Sequence, residues 1–283
     1  MSERSPQWIW WKRGASGIRI EQTGEMAVRG LEPRRVTVNL PPGYDRRRSR
    51  RYPLLIALDG QTMPEWRLAE AMLTLVGTGR MEPAVVAAVP ASAERIDEYG
   101  TAGTLDFAGR GRFAKAFQEL LAGVVLPELR ERYHLVTDPA GTGIFGASMG
   151  GLAAFDAAWR RPRIFGVAGI FSGSLWWRTD DSSAAAQQAS RIAHRQVSET
   201  PAKPDLRLWF EAGTRDETAD RDANGVIDAI QDTVELLERL EARGFKRDAD
   251  LVYQEIEDGG HNEATWAKAL PEFLAWACPP RRG

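Results

Sequence analysis

Ser148 stands between two glycines in Gly146-Ala147-Ser148-Met149-Gly150, the spacing of a turn that lifts a serine hydroxyl off the end of a strand and into the open. Apolar Ile144-Phe145 before it and the small residues Gly151, Ala153 and Ala154 after it predict a strand running into a helix, with Ser148 at the corner. A Cβ at either glycine would collide across so tight a turn. A serine placed there can attack an acyl carbon, provided that a base takes its proton and a third group orients the base. The chain has three histidines. His134 sits at a predicted helix end, His194 lies in a polar stretch expected to be solvated, and His261 follows the last predicted strand in Asp258-Gly259-Gly260-His261-Asn262. Open α/β sheets place their sites at the carboxyl ends of strands, so His261 is the candidate base. The orienting acid is sought between serine and histidine, where Glu211-Ala212-Gly213-Thr214-Arg215-Asp216-Glu217 leaves a strand; Asp216 is the first choice and Glu217 the second. Two backbone N–H groups must meet the developing oxyanion. One is that of Met149; the other comes from Asp59-Gly60-Gln61, with Gln61 preferred and Gly60 the alternative.

These residues need a sheet to hold them. Tyr52–Leu58 and Pro83–Pro90 read as fully buried strands, followed by Gly141–Phe145, Gly166–Phe171, Leu206–Glu211 and Asp250–Ile256, with shorter candidates at Ile18–Glu21 and Arg35–Leu40. Continuous apolar strands separated by helical patterns argue for a mostly parallel sheet covered by helices on both faces. Helical spacing recurs at Phe113, Phe117, Leu120, Leu121, Val124 and Val125, in the stretch after Ser148, over Val226–Arg243, and over Ala264–Ala277. No low-complexity linker or repeat interrupts the alternation, so the expectation is a single α/β domain over residues 1–283, with an N-terminal segment and edge strand in 1–34 and a polar excursion over the site at 179–204.

Composition sets outer limits. At 43% hydrophobic and 27% charged, the 283 residues can bury a sizeable core, and a net charge of −2 gives no overall field for nucleic acid. The arginines of Asp45–Arg51 read as a solvated connecting loop. A single cysteine, Cys278, excludes an intrachain disulfide and any CxxC site. The first residues lack the apolar core of a signal peptide and no run is long enough to span a bilayer, so a cytoplasmic location is expected. Trp8-Ile9-Trp10-Trp11 is expected to pack as an edge segment on the domain.

Two further patterns compete for attention. Gly141-Thr142-Gly143-Ile144-Phe145-Gly146 matches G-x-G-x-x-G, but it overlaps a strand instead of opening a helix, which argues against dinucleotide binding. Asp220, Asp222, Asn224 and Asp228 take the first, third, fifth and ninth places of an EF-hand-type loop, with Gly225 at the sixth and the Val226 carbonyl at the seventh. The twelfth place is Gln231 where the bidentate glutamate should be. The expectation is a structural Ca2+ beside Asp216, with no cofactor needed for chemistry; the alternative is an Asn-Gly turn whose acids favour a helix N-terminus.

With these residues placed, the chain resembles the putative-esterase family of α/β-hydrolases, which holds the enterochelin (siderophore) esterases, esterase D and the mycolyltransferases. The resemblance runs from about Arg35 to Pro271 and rests on Arg-Val-Thr-Val-Asn-Leu-Pro-Pro-Gly-Tyr, Tyr-Pro-Leu-Leu-Ile-Ala-Leu-Asp-Gly-Gln, Gly-Ala-Ser-Met-Gly-Gly, Ser172-Gly173-Ser174-Leu175-Trp176-Trp177 and Gly259-Gly260-His261-Asn262-Glu263. It implies an α/β-hydrolase fold and a carboxylic ester hydrolase with Ser148 as nucleophile and His261 as base. The Ser-Gly-Ser-Leu-Trp-Trp segment looks most like the enterochelin-esterase branch, where the acid position varies. A small-molecule ester, with a siderophore lactone as the attractive case, would then meet Trp176, Trp177 and the arginines Arg95, Arg110 and Arg112. Acyl transfer to an alcohol, or a silent hydrolase fold acting as a calcium-dependent scaffold, are the alternatives, and oligomeric state is not encoded in any of these patterns.

Overall fold

The computed structural model describes residues 17–46 and 49–280; Trp8–Trp11, and Arg47 and Arg48 of the basic run, lie outside them. Eight strands form one sheet: β1 (Arg19–Met26), β2 (Arg34–Leu40), β3 (Leu54–Leu58), β4 (Val85–Val89), β5 (Thr142–Ala147), β6 (Val167–Phe171), β7 (Arg207–Arg215) and β8 (Leu251–Gly260). Their spatial order is β1-β2-β4-β3-β5-β6-β7-β8. β1, β2 and β4 pair antiparallel, and every pairing from β4 through β3 to β8 is parallel. The helices are α1 (Leu68–Gly77), α2 (Arg95–Glu98), α3 (Ala114–Leu120), α4 (Leu126–Arg132), α5 (Met149–Arg160), α6 (Ala184–Ala189), α7 (Ile192–Glu199), α8 (Asp228–Ala242) and α9 (Glu263–Ala277). None of the described helices is long and apolar enough to cross a membrane.

The core follows from the strand composition. All residues of β3, β4, β5 and β6 are buried, as continuous apolar runs require when helices cover both faces. One side packs against α3 to α5, α7 and α8; the other packs against α1 and α9. Small residues set how close a helix can come. Gly169 on β6 lies so near Phe273 of α9 that a Cβ there would sit 2.6 Å from the ring. Between α3 and α4 the helix widens into a single π-type turn over Leu121–Val125; Pro127 has no N–H to give to the Gly123 carbonyl four residues back.

The polar excursion contains α6 and α7 and is pinned to α8 from inside. Arg191, wholly buried, pairs with Asp232 and Glu235, and Gln188 donates to both oxygens of Glu235 at 2.8 and 2.6 Å. His194 is not solvated, contrary to the sequence expectation. It is 1% exposed, with Nε2 2.8 Å from the Asp232 carbonyl, because α7 buries Ile192, Ala193, His194 and Val197 on one face. Burial, with Arg191 beside it, holds its imidazole well below the ordinary histidine range, so it stays neutral at pH 7.

Candidate active site

The turn after β5 is strained in the way a protruding side chain demands. Ser148 has φ 57° and ψ −125°, a region that L-residues avoid at a cost of about 1–3 kcal/mol. The surroundings over-determine it: the Ser148 N–H donates to the Phe171 carbonyl at 2.9 Å, and its own carbonyl accepts from Ser174 at 3.0 Å and Leu152 at 3.1 Å. Both glycines are required. A Cβ on Gly146 would meet the Gly150 backbone at 2.8 Å, and one on Gly150 would meet Asp59 Oδ2 at 2.8 Å. Ser148 is half-buried, with its Oγ 3.5 Å from Ser174 Oγ.

The approach of Asp59 to Gly150 shows that the turn after β3 adjoins the serine. Asp59 adopts a left-handed conformation (φ 52°, ψ 47°) and leads into a 3-10 turn over Gly60–Thr62. Gly60 passes so close to β4 that a Cβ would lie 2.5 Å from the Ala88 carbonyl carbon. The Gln61 side chain accepts from the Ala91 N–H at 3.0 Å and ties the turn to the exit of β4. Met149 opens α5, and the first N–H groups of a helix have no intrahelical acceptor. Gly60, Gln61 and Met149 thus lie on two neighbouring turns, and the positive end of α5 favours a negative charge there.

His261 and Asp216 come together from adjacent strands. Asp216 follows β7 and His261 follows β8, with His261 Nδ1 4.0 Å from Asp216 Oδ1, the reach of an ion pair and longer than a hydrogen bond. The imidazole is 40% exposed and stands edge-on to Trp266 at 5.3 Å between ring centroids. The Asp216 side chain is 1% exposed and neither of its oxygens completes a hydrogen bond. Burial pushes its carboxyl up, while the neighbouring Ser172 hydroxyl, the Gly213 backbone and the charge of His261 pull it back. Glu217, the second choice, turns towards the start of α8 instead, where burial and then Asp228 raise its carboxyl.

A second buried carboxyl was not singled out in the sequence. Glu211, near the middle of β7, is 1% exposed and is pushed up to about 8, by burial first and by the charge of Asp216 second. The signal was present: an acidic residue directly following the apolar run Leu208-Trp209-Phe210 in a strand with neighbours on both sides.

The rim is built from arginine and aromatic side chains. Arg95 grips Asp59 with two hydrogen bonds (2.6 and 2.8 Å), lies 5.0 Å from the Tyr99 ring, and reaches the Ala147 carbonyl at 3.4 Å, next to the serine. Arg110 pairs with Asp106, and Arg112 with Asp97. Trp176 is half-buried, between Arg110 at 5.6 Å and Arg178 at 5.9 Å. Trp177 does not line the site as expected. It is fully buried against Gly100 and Gly111, with the Trp176 ring beside it at 5.7 Å between centroids and Arg110 near both rings.

The loop at 220–228 has the backbone of a turn, with Ala223 at φ 56° and Gly225 at φ 85°, but its oxygens are committed within the chain. Asp220 accepts from the Asn224 and Gly225 N–H groups (3.1 and 2.9 Å), Asn224 Oδ1 from the Val226 N–H (2.7 Å), and Asp222 from Gln231 (3.0 Å). Asp228 accepts from the Arg221 N–H at 3.0 Å, and the Arg221 guanidinium bridges Asp228 and Asp232. Among the described residues no three His, Cys, Asp or Glu side chains converge as metal ligands. The donor set does not fit the expected Ca2+: a guanidinium supplies the positive charge. Adding Ca2+ or a chelator is therefore expected to leave the thermal midpoint within about 1 °C, since a ligand stabilises only in proportion to its binding; differential scanning fluorimetry with EDTA and with millimolar Ca2+ checks it.

Comparison with known proteins follows the same outline. A family model described as "Putative esterase" matches residues 31–277. An uncharacterized protein, YbbA, of Bacillus subtilis is 24% identical over 261 residues, covering 89% of this chain and 96% of that protein. The iron(III) enterobactin esterase of Dickeya dadantii is 29% identical over 231 residues, 79% of this chain but only 47% of that longer protein. Among solved structures, a ferulic acid esterase superposes with a TM-score of 0.69 at 16% identity, covering 93% of this chain and 99% of that one. The enterobactin esterase of Shigella flexneri superposes with a TM-score of 0.67 at 20% identity, covering 98% of this chain and 60% of that one. At such identities the superpositions establish a shared fold.

Proposed function

The chain belongs to the putative-esterase family and is a carboxylic ester hydrolase acting on a small-molecule ester; from that premise we propose that Ser148 is its nucleophile, His261 its base and Asp216 the acid that orients the base. The observation that carries the proposal is the strained Ser148 corner standing at the carboxyl end of the same sheet from which β7 and β8 deliver a facing acid and histidine. Asp216 faces Nδ1, which leaves Nε2 as the nitrogen that takes the Ser148 proton. As Ser148 Oγ bonds to the acyl carbon, the carbonyl electrons move onto oxygen and are met by the N–H groups of Met149 and Gln61, or Gly60 in its place. Collapse expels the alcohol, which takes the proton from His261, and leaves an acyl-enzyme. Water then repeats the sequence, giving its proton to His261 and releasing the carboxylic acid and free Ser148. Asp216 stabilises the imidazolium throughout and keeps its own charge.

For the substrate we put first an ester whose acid or alcohol portion is aromatic and anionic, a siderophore-type lactone being the leading case. Arg95 beside the serine and Trp176 between Arg110 and Arg178 support it, because guanidinium groups and a half-buried indole suit a planar anion. The names of the similar proteins, enterobactin and ferulic acid esterases, point the same way.

Intact-mass analysis after fluorophosphonate treatment tests the nucleophile. One adduct on the wild type and none on Ser148→Ala is the expected result. A folded wild type that takes up no adduct would sink the proposal and mean that ester hydrolysis runs through a group other than Ser148.

A further inference from the structure

Beyond the three residues assigned above, and resting on that assignment, we propose that Glu211 is a positioning residue for the acid–base pair, acting through Ser172 on the Trp266 side chain that flanks His261. The contacts form a short chain behind the site. Glu211 pairs in register with Phe171 of β6 and with Gln254 of β8. Its carbonyl accepts from the Ser172 N–H at 2.8 Å, and its Oε2 is 3.4 Å from Ser172 Oγ. Ser172 is itself held at φ 42° and accepts from Trp266 Nε1 at 2.9 Å; the Trp266 indole in turn meets His261 edge-on. Ser172 therefore takes the backbone of β6 past Glu211 on one side and fixes the wall of the histidine on the other.

The electrostatics give this arrangement a direction. The titratable groups facing Glu211 are Asp216, which is close enough to raise it, and Tyr253 on β8, whose phenol is raised by burial first and then by Glu255, Glu211 and Asp216. His261 faces Asp216. Two buried carboxyls side by side cannot both ionise cheaply, and the one with the imidazole beside it keeps the charge. Glu211 accordingly holds its proton at pH 7, and Asp216 is the single anion beneath His261. As pH rises through about 8 Glu211 ionises. The second negative charge then draws the Ser172 hydroxyl, which also holds Trp266, towards Glu211 and shifts the wall beside His261, so that kcat falls.

The test is the pH profile of kcat for Glu211→Gln and Glu211→Ala on a chromogenic aryl ester, with Ser148→Ala alongside. Glu211→Ala is expected to lose about 10–100-fold in kcat at pH 7 with KM within about twofold, the scale of a small misplacement of the reacting groups. Glu211→Gln, a neutral group of the same shape, is expected to recover most of that kcat and to lose the transition near pH 8. A Glu211→Gln enzyme as impaired as Glu211→Ala at pH 7, or one that keeps the wild-type transition, overturns the proposal. If Glu211→Ala does not fold, the Glu211→Gln profile alone decides. Ser148→Ala separates the two readings: retained turnover there removes the assignment on which this proposal rests, whereas an inactive Ser148→Ala with both Glu211 variants behaving as wild type removes Glu211 only.

Discussion

Replacing His261 by alanine is expected to lower kcat for ester hydrolysis by about four to six orders of magnitude, with KM changed by less than about tenfold. Without the imidazole the Ser148 hydroxyl has no group to take its proton, and no other described histidine can substitute: His194 is buried against α8, and His134 lies between α4 and β5, at the opposite end of the sheet. What survives is the binding and oxyanion stabilisation that an activated-serine site retains when its base is removed. Asp216→Asn is expected to cost less, about 10^4-fold or below, because the imidazole stays in place while its tautomer and its stabilising charge are disturbed. Steady-state kinetics on an aryl ester, with circular dichroism to show that each variant is folded, measure both. A His261→Ala enzyme within about tenfold of wild type would mean that another group is the base.

Gly213→Ala is expected to lower stability by about 1–3 kcal/mol and kcat by about a hundredfold at once, although the change adds a single methyl group. The methyl would sit 2.3 Å from the Gly259 carbonyl oxygen and 2.9 Å from Asp216 Oδ1. Those neighbours are the two strand ends that carry acid and base. Gly213 marks the point where the β7–β8 register shifts before Arg215 pairs with Gly260, and the two nearest atoms belong to the Gly259 backbone, which has no rotamer to change. The strands must therefore separate, and the 4.0 Å approach of Asp216 to His261 is lost. Gly123→Ala supplies the control: it has open space around it and should leave activity unchanged. Urea unfolding and kcat measured together decide it; unchanged values for both would show that the strand ends have slack that the packing does not reveal.

The parts of the site legible in the sequence were those fixed by local sterics or by elimination. The Ser148 corner announces itself because only glycine fits at 146 and 150, and the candidate bases were three. Asp216 could be read from chain order, but only the structure separates it from Glu217, one residue later and turned the other way. The misreadings have a common cause: burial is a tertiary property. His194 sits among polar neighbours in the chain yet faces α8, and Trp177 shares a sequence environment with Trp176 but fills the gap beside Gly100 and Gly111. β7 and β8 run on to Arg215 and Gly260, well past their apolar cores, because they continue to pair with each other where the rest of the sheet has ended. In the 220–228 loop, alternating acids look the same whether they surround a metal ion or receive N–H groups and an arginine. Glu211 is unremarkable in the sequence because a lone acid in a strand gains meaning only when its neighbours prove to include a second acid, Asp216.

The order of the sheet has a bearing on how the enzyme ages. Among the described residues β8 is the edge strand of the sheet, and it carries His261 at its end, whereas Ser148 leaves β5 from the middle of the sheet. Edge elements open with less free energy than the interior, in excursions that leave the bulk of the molecule folded. On the proposed assignment the nucleophile is anchored to the interior of the sheet and its base to the edge. Wear on warming would then fall first on catalysis, with turnover lost while most amide protons are still protected and regained when the edge closes again.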